Sequence, residues 1–169
     1  MHNMKELIES IKKHEGFVAT VYQCSEGFDT IGYGTRLPLT DFEYLDLADS
    51  RIMTGFGTGT DFPLSESEAE YLLKSRLSDI TKEIVSQKPL ILKLPLFKQM
   101  IVYEMGYQLG VPKLMGFKKM FRALEGGYYT LASKEMLNSK WAYQTPSRAK
   151  ELALKMASAV NDASFDVVN

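Results

Sequence analysis

The chain has 169 residues, of which 45% are apolar and 11% aromatic, a length and composition that suit one compact domain with a real core. Lys and Arg number 20 against 21 Asp and Glu, so a formal charge of -1 and a pI near 6.1 argue against a strongly basic surface, and no nucleic-acid partner is expected. One cysteine excludes an internal disulfide framework, and with only His2 and His14 beside it the soft ligands are too few for a closed zinc site, so neither a metal nor a cofactor is expected.

The N-terminal "MHNMKELIES" lacks the basic start and apolar stretch of a signal peptide, and no uncharged apolar run reaches the ~18 residues of a membrane span. A monomer made in a cytoplasm, without membrane insertion, is the expectation. Asn3 and Glu6 have the spacing of a capping box, and Leu7, Ile8 and Ile11 follow on one face, which predicts a helix over 4–14 ended by Gly16. Glu15 then stands at a helix C-terminus.

From Phe17 to Tyr22 the residues favour strand, "SEG" is turn chemistry, and "FDTIGYGT" reads as the return strand of a hairpin. On that return strand Ile31 and Tyr33 would face a core, while Phe28, Thr30, Gly32 and Gly34 would share the other face. The glycines either leave room for something to lie there or permit a twist or bulge. Residues 36–64 are the least readable. "LPLTDFEYLDLADSRI" has room for a short helix, and "TGFGTGTDF" reads as a flap or short strand, without the Lys-Ser/Thr pair of a phosphate loop.

Ser65 and Glu68 form another capping box, and Ala69, Leu72, Leu73, Leu77, Ile80 and Ile84 recur at helical spacing, which predicts a connecting helix over about 66–85. Pro89 and Pro95 bracket a break, and helices are predicted over 96–108, 117–125, 129–138 and 146–160, with their Met, Tyr and Phe residues in the core.

Three side chains in the hairpin region invite chemistry. The Glu15 carboxyl would face the negative end of a helix dipole, which disfavours its charged form, as a proton donor requires. Cys24 stands among the polar turn residues "QCSEG", a poor place to bury a thiol, although a small buried apolar residue is the commoner fate of a free cysteine. Thr30 alone would be an ordinary strand threonine. Farther on, Thr145 reads as an N-cap and Pro146 as the first helical residue, so Arg148 falls in a first turn, where a cation is disfavoured; it is either solvated or matched by a carboxylate from elsewhere.

The stretch "HEGFVATVYQCSEGFDTIGYGT" resembles the active-site segment of the phage-type lysozymes, the T-even bacteriophage muramidases of glycoside hydrolase family 24. Their pattern is Glu before Gly, eight residues, Asp or Cys, five residues, Thr, then Ile-Gly-x-Gly, and Glu15, Cys24 and Thr30 match it in identity and spacing. "LSESEAEYLL", "YQLGVPKLMGF" and "SKWAYQTPSRAK" extend the likeness in the family's order over roughly half the chain, whereas 36–64 match poorly.

The resemblance implies an α+β, two-lobed lysozyme fold in a single domain: a small antiparallel sheet lobe over about 15–65, a larger all-helical lobe over about 1–14 and 85–169, the connecting helix between them, and a glycan cleft. It implies an endolysin that cuts the β-1,4 bond between N-acetylmuramic acid and N-acetylglucosamine in peptidoglycan strands for host lysis, reaching the wall through a holin pore. Glu15 would be the proton donor in an ion pair with Arg148, and Thr30 would orient the attacking water. Gln108, Tyr107 and Phe117 would fall at the cleft, with Gln108 the sugar contact and the two aromatics packing.

Cys24 raises the mechanistic difficulty. A thiol of ordinary pKa ~8.5 is only a few per cent ionised at neutral pH, a penalty of about 2 kcal/mol if thiolate is needed. No neighbouring cation is evident in the sequence, and Glu26 and Glu15 would act against ionisation, so the expected role is a weak base or polarisable stabiliser. Thr35 departs from the family's His in a structural ion pair, so that pair should be missing, and near-neutral charge offers little long-range steering to an anionic wall. The competing readings are a lytic transglycosylase, which uses one Glu and leaves an anhydro-sugar end, and an inactive glycan-binding or spacer module.

Overall fold

The computed structural model describes residues 2–54 and 63–159. The fold is α+β: among the described residues a three-stranded antiparallel sheet, ordered β1-β2-β3, and otherwise helices and their connections. Residues 8–79 make one compact unit, and residues 2–7 with 80–159 make another.

Helix α1 spans His2–Glu15, beginning two residues before the expected start. Gly16 ends it: its N–H bonds the Lys12 carbonyl at 3.0 Å and its φ is 72°, a left-handed helix stop. Strands β1 (Val18–Gln23), β2 (Asp29–Gly32) and β3 (Thr35–Arg36) follow. Tyr22 pairs with Thr30 across one ladder, and Thr30 with Arg36 across the next. The return strand is shorter than the sequence suggested, because Gly32 and Gly34 take φ of 66° and 78° and turn the chain into β3. A Cβ on Gly32 would lie 3.0 Å from the Ala69 Cβ, so a helix packs directly on the strand backbone there.

Helix α2 (Asp41–Thr54) is longer than the short helix the sequence allowed. Its start is a capping box in which Thr40 N–H donates to Glu43 Oε2 at 2.8 Å and Glu43 N–H to Thr40 Oγ1 at 3.3 Å. The expected flap or strand over 54–62 lies, from residue 55, outside the described residues. Helix α3 (Glu66–Gln87) opens on the expected box, with Ser65 N–H to Glu68 Oε2 at 2.8 Å and Glu68 N–H to Ser65 Oγ at 3.2 Å. Its Ala69, Leu72, Leu73 and Leu77 join Ile11, Ile31 and Tyr33 in the core of the first unit.

The second unit contains the 3-10 turn Pro89–Lys93 and helices α4 (Leu96–Leu109), α5 (Val111–Met115), α6 (Lys118–Glu125), α7 (Tyr129–Leu137), α8 (Lys140–Gln144) and α9 (Pro146–Ala157). Met105, Met120, Met136 and Met156 are all buried, as expected of unbranched side chains that fill irregular gaps. Lys98 is also buried. Its ammonium donates to the Met156 and Ser158 carbonyls at 2.6 and 3.0 Å, tying off the end of α9, and lies over the Tyr129 ring at 4.2 Å.

Candidate active site

The first unit carries Glu15, Cys24 and Thr30. Glu15 is the last residue of α1 and half-buried. A Cβ built on Gly34 would stand 2.9 Å from Glu15 Oε2 and 3.1 Å from Cδ. Only a glycine lets the carboxyl lie so close to the turn between β2 and β3, and the positive φ at that position favours glycine independently. The face that the sequence left open at Gly34 is thus occupied by the acid itself.

Cys24 follows β1 and begins the hairpin loop. Its N–H donates to the Phe28 carbonyl at 2.9 Å, and its carbonyl accepts from Gly27 N–H at 2.8 Å, with Gly27 left-handed at φ 79°. This is a short hairpin loop closed by glycine. Burial pushes the half-buried thiol up, but the backbone N–H groups of Glu26 and Phe28, the Thr30 hydroxyl and the charge of Arg36 outweigh it and hold the thiol below its ordinary pKa.

That balance corrects the sequence expectation of no nearby cation. Arg36, on β3, is the cation, and its Nη2 lies 2.6 Å from Glu26 Oε2. Glu26, expected to oppose thiolate formation, instead presents its amide to the sulfur while its carboxylate is paired.

Thr30 is buried on β2, and its hydroxyl donates to the Phe28 carbonyl at 2.9 Å. The same hydroxyl favours the ionised sulfur, which needs its proton as well. One hydroxyl carries one proton and two acceptor lone pairs. In this structure the proton serves the Phe28 carbonyl. Tyr22, opposite Thr30, was missed from sequence: its phenol is raised by burial first, then by the charges of Glu15 and Cys24, so it lies in the field of both.

The second unit carries Gln108, Tyr107, Phe117 and Arg148. Gln108, near the end of α4, accepts from Trp141 Nε1 at 2.7 Å through Oε1 and donates to Thr145 Oγ1 at 3.5 Å through Nε2. Its amide is therefore oriented by partners on both sides. Phe117 meets Trp141 edge-on, ring centroids 6.1 Å apart, and Tyr107 is half-buried beside Gln108. Thr145 occupies the N-cap position of α9, but its hydroxyl donates backward to the Trp141 carbonyl at 3.1 Å and caps nothing. Arg148 is buried, and its Nε and Nη2 both stand 3.2 Å from Glu104 Oε1. A carboxylate inside the apolar run "MIVYEMG" was the signal for that partner.

Thr35 is buried, and its hydroxyl has no hydrogen-bond partner among the described residues. Among the described residues no group of three or more His, Cys, Asp or Glu could hold a metal ion, and no helix is long and apolar enough to cross a membrane.

A family model described as phage lysozyme matches residues 12–157. The chain belongs to the phage lysozyme family. It is accordingly a lysozyme-type glycoside hydrolase, and its α+β architecture is that of the family. Over 154 residues it is 32% identical to probable T4-type lysozyme 1 of Dictyostelium discoideum, covering 85% of this chain and 89% of that protein. It is 27% identical to the pre-baseplate central spike protein Gp5 of Enterobacteria phage T4, covering 88% of this chain but only 27% of the spike protein. Probable T4-type lysozyme 2 of Dictyostelium discoideum is 25% identical over 156 residues, 92% of its length. In this phage lysozyme, every candidate residue from Glu15 to Arg148 falls inside the matched span.

Proposed function

We propose that the protein is a muramidase that hydrolyses the β-1,4 bond between N-acetylmuramic acid and N-acetylglucosamine in peptidoglycan. The observation that carries this reading is one small unit holding a carboxyl pressed against Gly34 and a cysteine, its thiol below the ordinary pKa, whose backbone N–H shares the Phe28 carbonyl with the Thr30 hydroxyl. Glycosidic cleavage through an oxocarbenium-like state needs a proton on the leaving oxygen and help at the anomeric carbon. Glu15 gives the proton. Cys24, more readily ionised than an ordinary thiol, stabilises the developing positive charge or takes a proton from the attacking water, and the Thr30 lone pairs orient that water. The water's hydroxyl ends on the anomeric carbon, its other proton goes to the Cys24 thiolate or, where Cys24 only stabilises charge, to the Glu15 carboxylate left by the first transfer, and the leaving sugar departs as an alcohol.

Gln108 supplies the sugar contact, its amide held by Trp141 and Thr145, while Tyr107 and Phe117 pack. Arg148, which the family pattern implies as a counter-ion, is paired with Glu104 inside the helical unit. The biological role in this reading is host-cell lysis by a monomer that reaches the wall through a holin pore.

Turbidity loss of outer-membrane-stripped bacteria, with wild type, Glu15→Gln and Cys24→Ala side by side, tests the assignment. Wild type clears the suspension and Glu15→Gln does not. Mass spectrometry of the digest should find hydrated reducing ends. Anhydro-sugar ends would make the enzyme a transglycosylase, and binding to walls without cleavage would make it a glycan-binding module.

A further inference from the structure

We infer that Arg36 is a positioning residue for Cys24, the cation that lets a thiol serve where the family also uses a carboxylate. The inference rests on the reading of Cys24 as part of the hydrolytic site. Two backbone contacts hold the strand at Arg36 and two side-chain contacts hold its guanidinium at the hairpin loop. The backbone of Arg36 is laddered to Thr30 and its carbonyl accepts from Arg76 Nη2 at 3.4 Å. Its side chain lies over the Phe28 ring, 4.5 Å from the centroid, and its Nη2 pairs with Glu26 at 2.6 Å. Glu26 and Phe28 belong to the five-residue loop that starts at Cys24, and both present backbone N–H groups to the sulfur.

The arrangement has a chemical logic. A carboxylate at this position would be ionised at neutral pH without help, whereas a thiol requires a positive field. Arg36 supplies it while stacking on Phe28 keeps the planar group in place, a geometry that lysine reproduces in charge but not in shape. Among the described residues the charged and titratable groups around the sulfur are Glu26 in the loop, Arg36 on β3, Tyr22 on β1 and, through Tyr22, Glu15 at the end of α1. Of these only Arg36 is positive. A plain surface staple between Arg36 and Glu26 would hold the loop just as well but would leave the thiol's ionisation alone, and that difference is measurable.

Because Cys24 is the chain's one cysteine, alkylation by iodoacetamide reads a single thiol. Measured from about pH 6 to about pH 10, the position of the profile reports ionisation and its alkaline plateau reports access. Arg36→Gln should slow alkylation at neutral pH about two- to fivefold, the size of an exposed charge pair, with the plateau unchanged. Arg36→Lys should restore most of the wild-type rate. Glu26→Gln should speed it by a similar factor, and about 0.5 M salt should shrink all of these differences. A profile for Arg36→Gln that superimposes on wild type, or a lysine variant that behaves like glutamine, overturns the inference.

Hydrolysis supplies a separate arm. Arg36→Gln should slow wall lysis more in the native background than in Cys24→Asp, where the second group ionises unaided. Equal slowing in both overturns the assignment to the thiol. If the thiol profile shifts as stated but the wild type cuts no peptidoglycan, the proposed function falls while the coupling of Arg36 to Cys24 stands.

Discussion

Two arginine–carboxylate pairs, alike in chemistry, sit in opposite settings. In the hairpin unit Arg36 meets Glu26 at 2.6 Å, with the two side chains 40% and 35% exposed. In the helical unit Arg148 meets Glu104 at 3.2 Å, with side chains 7% and 3% exposed. The shorter pair is the weaker one for stability, because water and salt screen it and side-chain entropy opposes it, leaving roughly 0.5 kcal/mol or less. The buried pair has already lost its hydration, so removing either partner leaves the other's charge less well compensated. The comparison teaches that burial, and not distance, decides what such a pair does: the helical unit uses charge to hold its interior together, while the hairpin unit keeps charge near water, where it can tune a reactive group.

The comparison breaks first if chemistry and stability fail to separate. Glu15→Gln should lower the rate of wall cleavage by about 10² to 10⁴, since it removes the proton but keeps the shape. Its melting temperature should stay near that of wild type. A variant that retains lytic activity removes Glu15 from the role of proton donor.

Glu104→Gln is the counterpart in the helical unit. It leaves the buried Arg148 guanidinium facing a neutral amide, which should cost about 3 kcal/mol in denaturant unfolding. A loss below roughly 0.5 kcal/mol would put this pair in the same class as Arg36–Glu26 and erase the contrast.

Gly34→Ala joins the two effects within one residue. The left-handed backbone at φ 78° costs a residue with a Cβ about 1–2 kcal/mol, and the new methyl would contact the Glu15 carboxyl at 2.9 Å. Displacing the acid should reduce cleavage about tenfold to a hundredfold. Stability and rate measured on the same sample separate the backbone cost from the misplaced carboxyl, and an alanine variant of full activity would show that Glu15 does not depend on that turn.

What the sequence made legible follows from range. Ser65 with Glu68, and Gly16 after Glu15, are signals carried by neighbouring residues, and both the start of α3 and the end of α1 appear where those signals stand. The same logic was available for α2 in Thr40 and Glu43, but the apolar residues that follow mislead: Phe42 is 80% exposed and Leu45 56%, while Leu47 is buried, so no clean stripe announces the helix. The groups that set the environment of the candidate site come from farther away. Arg36 meets Glu26 and Phe28 of the hairpin loop only because β3 pairs with β2, and Glu104 reaches Arg148 only because α4 and α9 pack. The resemblance to the phage-type lysozymes names Glu15, Cys24 and Thr30 as a set, but which charge surrounds the sulfur is a property of sheet register.

The smallest expected effect is also the one that bears most directly on the sulfur. Because the folded thiol lies below its ordinary pKa, the unfolded chain binds more protons between the two values. The stabilisation from this shift is therefore fully present above the unfolded thiol's pKa and is lost as pH falls through the folded one. Relative to Cys24→Ala, wild type should gain stability on moving from neutral to alkaline solution, by a fraction of a kcal/mol for a thiol this open to solvent, roughly the worth of an exposed charge pair. The rate should follow the same ionisation. Below the thiol's pKa thiolate forms as pH rises, so the ratio of wild-type to Cys24→Asp cleavage should climb with pH, the Glu15 acid titrating in both enzymes. Coincident alkaline limbs and optima for the two enzymes would mean that the charge on sulfur does not matter, and the field of Arg36 would then act on a group the reaction never ionises.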